Sequence, residues 1–206
     1  MDKTVIEFST SVDELLKSSN QLIALQIKQM MNITRGKCLD VSSDGGQLGI
    51  AVAKITDLDV YLYETSELAS DRANKRINKQ RLGQRVFILP SDAFRIPIEN
   101  ESVDLVVGIR SIWFISNYAR SLNEIYRVLA PDGIAYIRVG SSLRNLKKVY
   151  DNLEHRVKSR IYKGFVTSRD KLIEQLIQAI SETNIKNFKI SDEKFGVWIL
   201  VKKESA

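Results

Sequence analysis

Leu39-Asp40-Val41-Ser42-Ser43-Asp44-Gly45-Gly46-Gln47-Leu48 is the stretch whose reading decides how this chain folds. Cys38 to Val41 is an apolar run of the length expected for a short buried strand. From Gly46 onward Leu48, Ile50, Ala51, Val52 and Ala53 shift to helical spacing. A strand ending in an acid, then a turn of small residues, then a helix start offers backbone amides and a helix dipole to a ligand. The same pattern also serves as a tight strand-to-helix turn with no ligand.

Working outward, the alternation continues. Asp57 to Tyr63 is strand-like, Ser66 to Arg81 is polar and helical, and Val86 to Leu89 and Val103 to Gly108 read as strands. Tyr118 to Leu129 is an amphipathic helix with Ala119, Leu122, Ile125, Tyr126 and Leu129 inward, and Pro131-Asp132-Gly133 turns the chain into a strand from Ile134 to Val139. Strands and helices that alternate in this way predict a parallel sheet with right-handed crossovers and helices on both faces. Near-continuous apolar strands agree, because parallel strands are covered on both sides. Beyond Gly140 the rhythm changes to a basic helical stretch, Leu143 to Val166, then a helix from Ser168 to Thr183. Phe188 to Ile190 and Val197 to Val201 then form a terminal hairpin. At the other end, Val12 to Met31 has helical spacing, as one helix or as two broken near Ser18-Ser19-Asn20.

Composition narrows the function classes. The 206 residues are 44% hydrophobic and 27% charged, ordinary globular proportions that argue against disorder and low complexity. One cysteine, Cys38, and one histidine, His155, speak against a disulfide framework, a Cys- or His-rich metal site and Ser-His-Asp chemistry, so no metal is expected. No run is apolar enough to span a bilayer, and the first residues lack an export signal, so a cytoplasmic setting is expected. The net charge is +6; between Ser141 and Val166 seven basic residues face two acidic ones, so one segment holds most of the excess. We expect a single domain: an N-terminal helical cap (1–34), a core (35–140), a basic lid-like insertion (141–167) and a C-terminal helix and hairpin (168–206).

In open parallel sheets ligands bind beyond the carboxyl ends of the strands. Asp40 ends the first strand. Glu64, with Thr65 beside it, ends the second, where a carboxylate can accept both hydroxyls of a ribose. Asp92 follows the third, where it can accept from an exocyclic amine while the amide of Ala93 donates to a ring nitrogen. Arg110 follows the fourth, and a charge there needs a partner or water.

Two further stretches carry a resemblance. Asp92-Ala93-Phe94-Arg95-Ile96-Pro97-Ile98-Glu99-Asn100-Glu101-Ser102-Val103-Asp104-Leu105-Val106-Val107 and Glu124-Ile125-Tyr126-Arg127-Val128-Leu129-Ala130-Pro131-Asp132-Gly133 are similar to paired signatures of class I S-adenosylmethionine-dependent methyltransferases. The likeness is to the type 11, ubiquinone-biosynthesis-like branch. It implies a Rossmann-like α/β fold, with a seven-stranded, mostly parallel sheet whose terminal strand is antiparallel. It also implies S-adenosylmethionine as cofactor and methyl transfer to a small-molecule acceptor. By that resemblance Asp40 and the turn through Ser42, Asp44 and Gly46 would hold the methionine portion. Glu64 and Thr65 would hold the ribose, Asp92 and Ala93 the adenine, and Ile109 and Arg110 would lie near the sulfonium. No catalytic base is singled out.

The chain departs from the family's D-x-G-x-G-x-G pattern: Ser42 and Asp44 stand where two glycines are usual, and Gly45 is extra. A catalytically silent, methyltransferase-like binding subunit is therefore the alternative expectation. The basic segment leaves open an anionic acceptor and, less favoured, a nucleic-acid substrate. No membrane partner is expected, and the oligomeric state is not legible.

Overall fold

The computed structural model describes residues 19–42, 45–64, 66–90, 95–109, 117–139, 169–193 and 196–205. The expected basic helical stretch (143–166) and the start of the N-terminal helical pattern lie outside the described residues.

Seven strands build one sheet among the described residues: β1 (Lys37–Asp40), β2 (Asp59–Glu64), β3 (Val86–Pro90), β4 (Val103–Ile109), β5 (Leu129–Val139), β6 (Phe188–Glu193) and β7 (Gly196–Lys202). Their order is β3-β2-β1-β4-β5-β7-β6. β1 to β5 are parallel, and β7 runs antiparallel to both neighbours, β5 and β6. The expected architecture is therefore present, with β7 as the single reversed strand among those described. β4 shows why parallel strands read as apolar runs: six of its seven residues are buried.

Two hydrophobic clusters sandwich the sheet, as the side-chain period of two requires. On one face pack α1 (residues 19–31), α2 (Gln47–Ala53) and α3 (Glu67–Gln80), through Ile23, Ile27, Leu48, Ala73 and Ile77 against Cys38, Val60, Leu62, Val107, Tyr136 and Trp198. On the other pack α4 (Tyr118–Val128) and α5 (Arg169–Ser181), through Leu122, Ile125, Leu172 and Leu176 against Leu39, Val106, Ile137 and Ile199. α3 and α4 begin where sequence places them, because the side chains of Ser66 and Asn117 accept the amides of Ala69 and Arg120.

One boundary differs from expectation. β5 enters the sheet at Leu129, before the Pro131-Asp132-Gly133 turn. Its pairing jumps from Val103–Leu129 to Leu105–Ile134, so the turn becomes a bulge within the strand. Asp132 takes φ 62° there, and a Cβ on Gly133 would come within 2.9 Å of the Val103 carbonyl oxygen.

Cys38 lies wholly within the core, and burial, then the charges of Asp40 and Asp104, raise its thiol well above the ordinary range. Alkylation of Cys38 in the native protein is expected to be roughly a thousandfold slower than in denaturant, since a stability of at least about 5 kcal/mol keeps the opened population that small. Rapid native labelling would show that this core opens locally.

Candidate functional site

The site is built at the carboxyl rim of β1, β2 and β4. Asp40 is buried at the end of β1, and its carboxylate accepts two backbone amides, that of Ser42 at 2.9 Å and that of Gly49 at 2.6 Å. The second bond reaches the first turn of α2, whose N-cap, Gly46, has no side chain to cap it. Asp40 thus acts as a cap supplied from the strand, and it ties the turn to the helix. A Cβ on Gly49 would lie 2.5 Å from Leu62 and 3.0 Å from Asp40, so the close approach of α2 needs glycine there.

Among the described residues of the turn, the left-handed positions are Gly45 (φ 76°) and Gly46 (φ 72°), both glycines, and Ser42 is not among the positive-φ residues. The hydroxyl oxygen of Ser42 instead accepts the amide of Ile109 at 2.9 Å, and the amide of Val41 donates to the carbonyl of Val107 at 2.8 Å. Ser42 therefore joins the ends of β1 and β4. Across the turn, Arg76 of α3 donates to the carbonyl of Gly45 at 2.7 Å.

Glu64 ends β2 and is 2% exposed. It follows Leu62 by two residues, as Asp40 follows Cys38, and Leu62 and Cys38 belong to one cluster. The two carboxylates therefore face the α1–α2–α3 side of the same rim, together with Ile109. Asp40, Ser42, Gly46, Glu64 and Ile109 are thus brought together from the expected set. Asp44, Thr65, Asp92, Ala93 and Arg110 lie outside the described residues.

The two signature stretches meet in one clamp on the opposite face. Arg127 donates to Glu124 through two nitrogens, at 2.9 and 2.6 Å, and its remaining donors take the carbonyls of Ile96 and Ile98 and the side chain of Asn100. Glu124 in turn accepts the amide of Ile96 at 2.8 Å. Partial burial pushes the Glu124 carboxyl up. The hydrogen bonds from Arg127 and Ile96, with the charges of Arg127 and Arg95, outweigh this and hold it below the ordinary glutamate range. Asp104 does similar work at the amino edge, accepting the amide of Lys37 at 2.7 Å, where a Cβ on Gly36 would collide with it. These signature residues hold the scaffold; sequence alone did not separate that work from ligand contact.

The pattern also did not single out Arg138. It is 7% exposed near the end of β5, paired with Ile109 on one side and Trp198 on the other. Its only sequence signal is a lone cation inside an apolar run.

Comparison with known proteins bears on this arrangement. Residues 39–137 match the model of a methyltransferase domain. A crystal structure from Methanococcus maripaludis, described as an S-adenosyl-L-methionine-dependent methyltransferase, superposes with a TM-score of 0.82 at 28% identity, covering 99% of this chain and 92% of that one. The fold, and the stretch 39–137 in particular, is thus similar to that of S-adenosylmethionine-dependent methyltransferases. A demethylmenaquinone methyltransferase of Lactobacillus johnsonii is 33% identical over 100 residues, 46% of this chain and 40% of that protein. A sterol 4-C-methyltransferase of Caenorhabditis elegans is 26% identical over 152 residues, 70% of this chain and 43% of that one. The chain thus spans less than half the length of these two curated relatives. Among the described residues, no helix is long and apolar enough to cross a membrane and no cluster of His, Cys, Asp and Glu could hold a metal ion.

Arg127→Ala is expected to cost about 2–3 kcal/mol and lower Tm by about 5–10 °C, because it removes a clamp of charge-assisted bonds. The lowered Glu124 carboxyl contributes stability that is present above its ordinary value of 4.5 and lost as pH falls through the lower folded-state value. Chemical denaturation between pH 5 and about pH 3 should therefore show a shallower acid loss in Glu124→Gln than in wild type. Equal acid slopes would remove Glu124 from this role.

Proposed function

We propose that this protein transfers a methyl group from S-adenosylmethionine to a small-molecule acceptor. The observation that carries the reading is the buried Glu64 carboxylate at the end of β2, on the same face and rim as the glycine turn that Asp40 organises. A ribose diol needs two acceptors held at one point, and a carboxylate supplies them. In this reading Ser42, Asp44 and Gly46 flank the methionine portion, with Asp40 positioning their turn. Glu64 and Thr65 bind the ribose, Asp92 and Ala93 the adenine, and Ile109 and Arg110 border the reacting centre.

The bound cofactor supplies an electrophilic methyl on a sulfonium. The chain's own work is to align the acceptor for in-line attack and to exclude water, which the apolar rim at Ile109 favours. No base is required where the acceptor atom is already nucleophilic. The binding-only alternative rested on Ser42 and Asp44. Ser42 gives it no support, since its side chain is used in joining β1 to β4.

Calorimetry with S-adenosylhomocysteine is expected to give saturable binding. Glu64→Ala should weaken it by about tenfold to a hundredfold, the loss of one or two charge-assisted bonds, with Tm changed by only a few degrees. Absence of heat and of thermal shift at millimolar ligand would overturn the proposal.

A further inference from the structure

Arg138, Asn20 and the indole of Trp198 place buried hydrogen-bond donors on the acceptor side of the rim. Arg138 is 7% exposed, Asn20 2% and Trp198 0%. The Arg138 guanidinium carbon lies 5.9 Å from the centroid of the Trp198 ring, and that ring stacks on Tyr136 with centroids 4.3 Å apart. Neither Nδ2 of Asn20 nor Nε1 of Trp198 has a hydrogen-bond partner among the described residues.

The topology brings Asn20 and Arg138 toward each other. The side chain of Gln26 donates to the Tyr136 hydroxyl at 3.1 Å, which fixes α1 over β5. The carboxyl end of α1 is held at the amino edge of the sheet, where Lys28 donates to the Ile55 carbonyl at 2.6 Å. α1 therefore runs against the strands, and its earlier residues lie toward the carboxyl rim. Asn20 precedes Gln26 by six residues, about 9 Å of helix rise. Arg138 follows Tyr136 by two, about 6.6 Å of strand, in the same direction.

We propose that this cluster binds an acidic group, a carboxylate or phosphate, of the methyl acceptor. Arginine fits the role because its guanidinium stays charged, sheds water more readily than an ammonium and matches two anionic oxygens at once. Donors already buried gain from an anion and offer nothing to a cation. The location is right for an acceptor. Arg138 is the β5 neighbour of Ile109, on the side away from Glu64, which lies three strand positions off across β1 and β4. An acid anchored at Arg138 holds the rest of the acceptor over Ile109, beside the cofactor's reacting end. This inference rests on the function proposed above and adds the substrate's charge.

The test uses the full chain, with and without saturating S-adenosylhomocysteine, titrated by calorimetry with inorganic phosphate, acetate and the neutral control acetamide. Wild type is expected to bind phosphate or acetate at millimolar concentration and acetamide at least tenfold more weakly. The stronger of the two anions identifies the acid. Arg138→Met should weaken the anion at least tenfold, and Asn20→Leu and Trp198→Phe about threefold each, while S-adenosylhomocysteine affinity stays within threefold. Arg138→Lys, which keeps the charge, should retain part of the binding and serves if the methionine variant does not fold. Anion binding unchanged in all these variants, or absent from wild type, overturns the inference. So does a loss of S-adenosylhomocysteine affinity beyond threefold in the Arg138 variants, which would assign the arginine to the cofactor. Failure of wild type to bind S-adenosylhomocysteine sinks the methyltransferase reading instead, and the cofactor-free titrations still report on the anion site.

Discussion

Parallel pairing in register is the constraint on which the site depends. Side chains alternate along a strand, so two residues of neighbouring strands share a face only where register and period agree. Here Asp40 pairs with Leu62 and with Val107, and Ile109 pairs with Arg138. Asp40, Glu64, Ile109 and Arg138 consequently stand along one rim on one face. A slip of one residue in β2 would turn Glu64 toward the helices of the opposite face. The apolar residues that precede each rim residue by two, Cys38, Leu62, Val107 and Tyr136, lie in one cluster, so core packing protects the alignment of the polar rim.

Polar groups in this structure divide by what they satisfy. Ser42, Glu124, Arg127 and Asp104 reach backbone amides and carbonyls 28 to 67 residues away, and Asp40 reaches the amides of Ser42 and Gly49 nearby. Loops at a sheet rim contain amides and carbonyls that no ladder satisfies, and burying them without partners is costly. The signature around Glu124 and Arg127 is accordingly a device for fixing residues 96–100 against α4, just after Asp92 and Ala93, for which the adenine role is proposed. Motifs that read as cofactor signatures are in good part the supports of the loops that precede or follow the contacts.

The turn after β1 shows how far a pattern of glycines can be trusted. The altered motif suggested an obstructed entrance, since serine and aspartate replace glycine at two positions. Among the described residues of the turn, the left-handed φ values fall at Gly45 and Gly46, and both are glycine. At one altered position the Ser42 hydroxyl oxygen accepts the amide of Ile109, so the side chain is used in joining β1 to β4.

Local chemistry was legible from the sequence itself: the alternation of strand and helix, the apolar strands, and the acids at the strand ends. Each depends on residues within a few positions, where spacing and propensity act directly. Two acids at successive strand ends look alike in sequence, yet the folded chain shows that Asp40 accepts the amides of Ser42 and Gly49 and so anchors the start of α2, while Glu64 is buried on the same face of the rim. Only the folded chain could tell them apart, and only it could bring α1 across β5 through Gln26 and Tyr136, 110 residues apart, with Arg138 and Trp198 beneath. Such contacts are made by packing between distant segments, and no local pattern encodes which distant partner a side chain will meet.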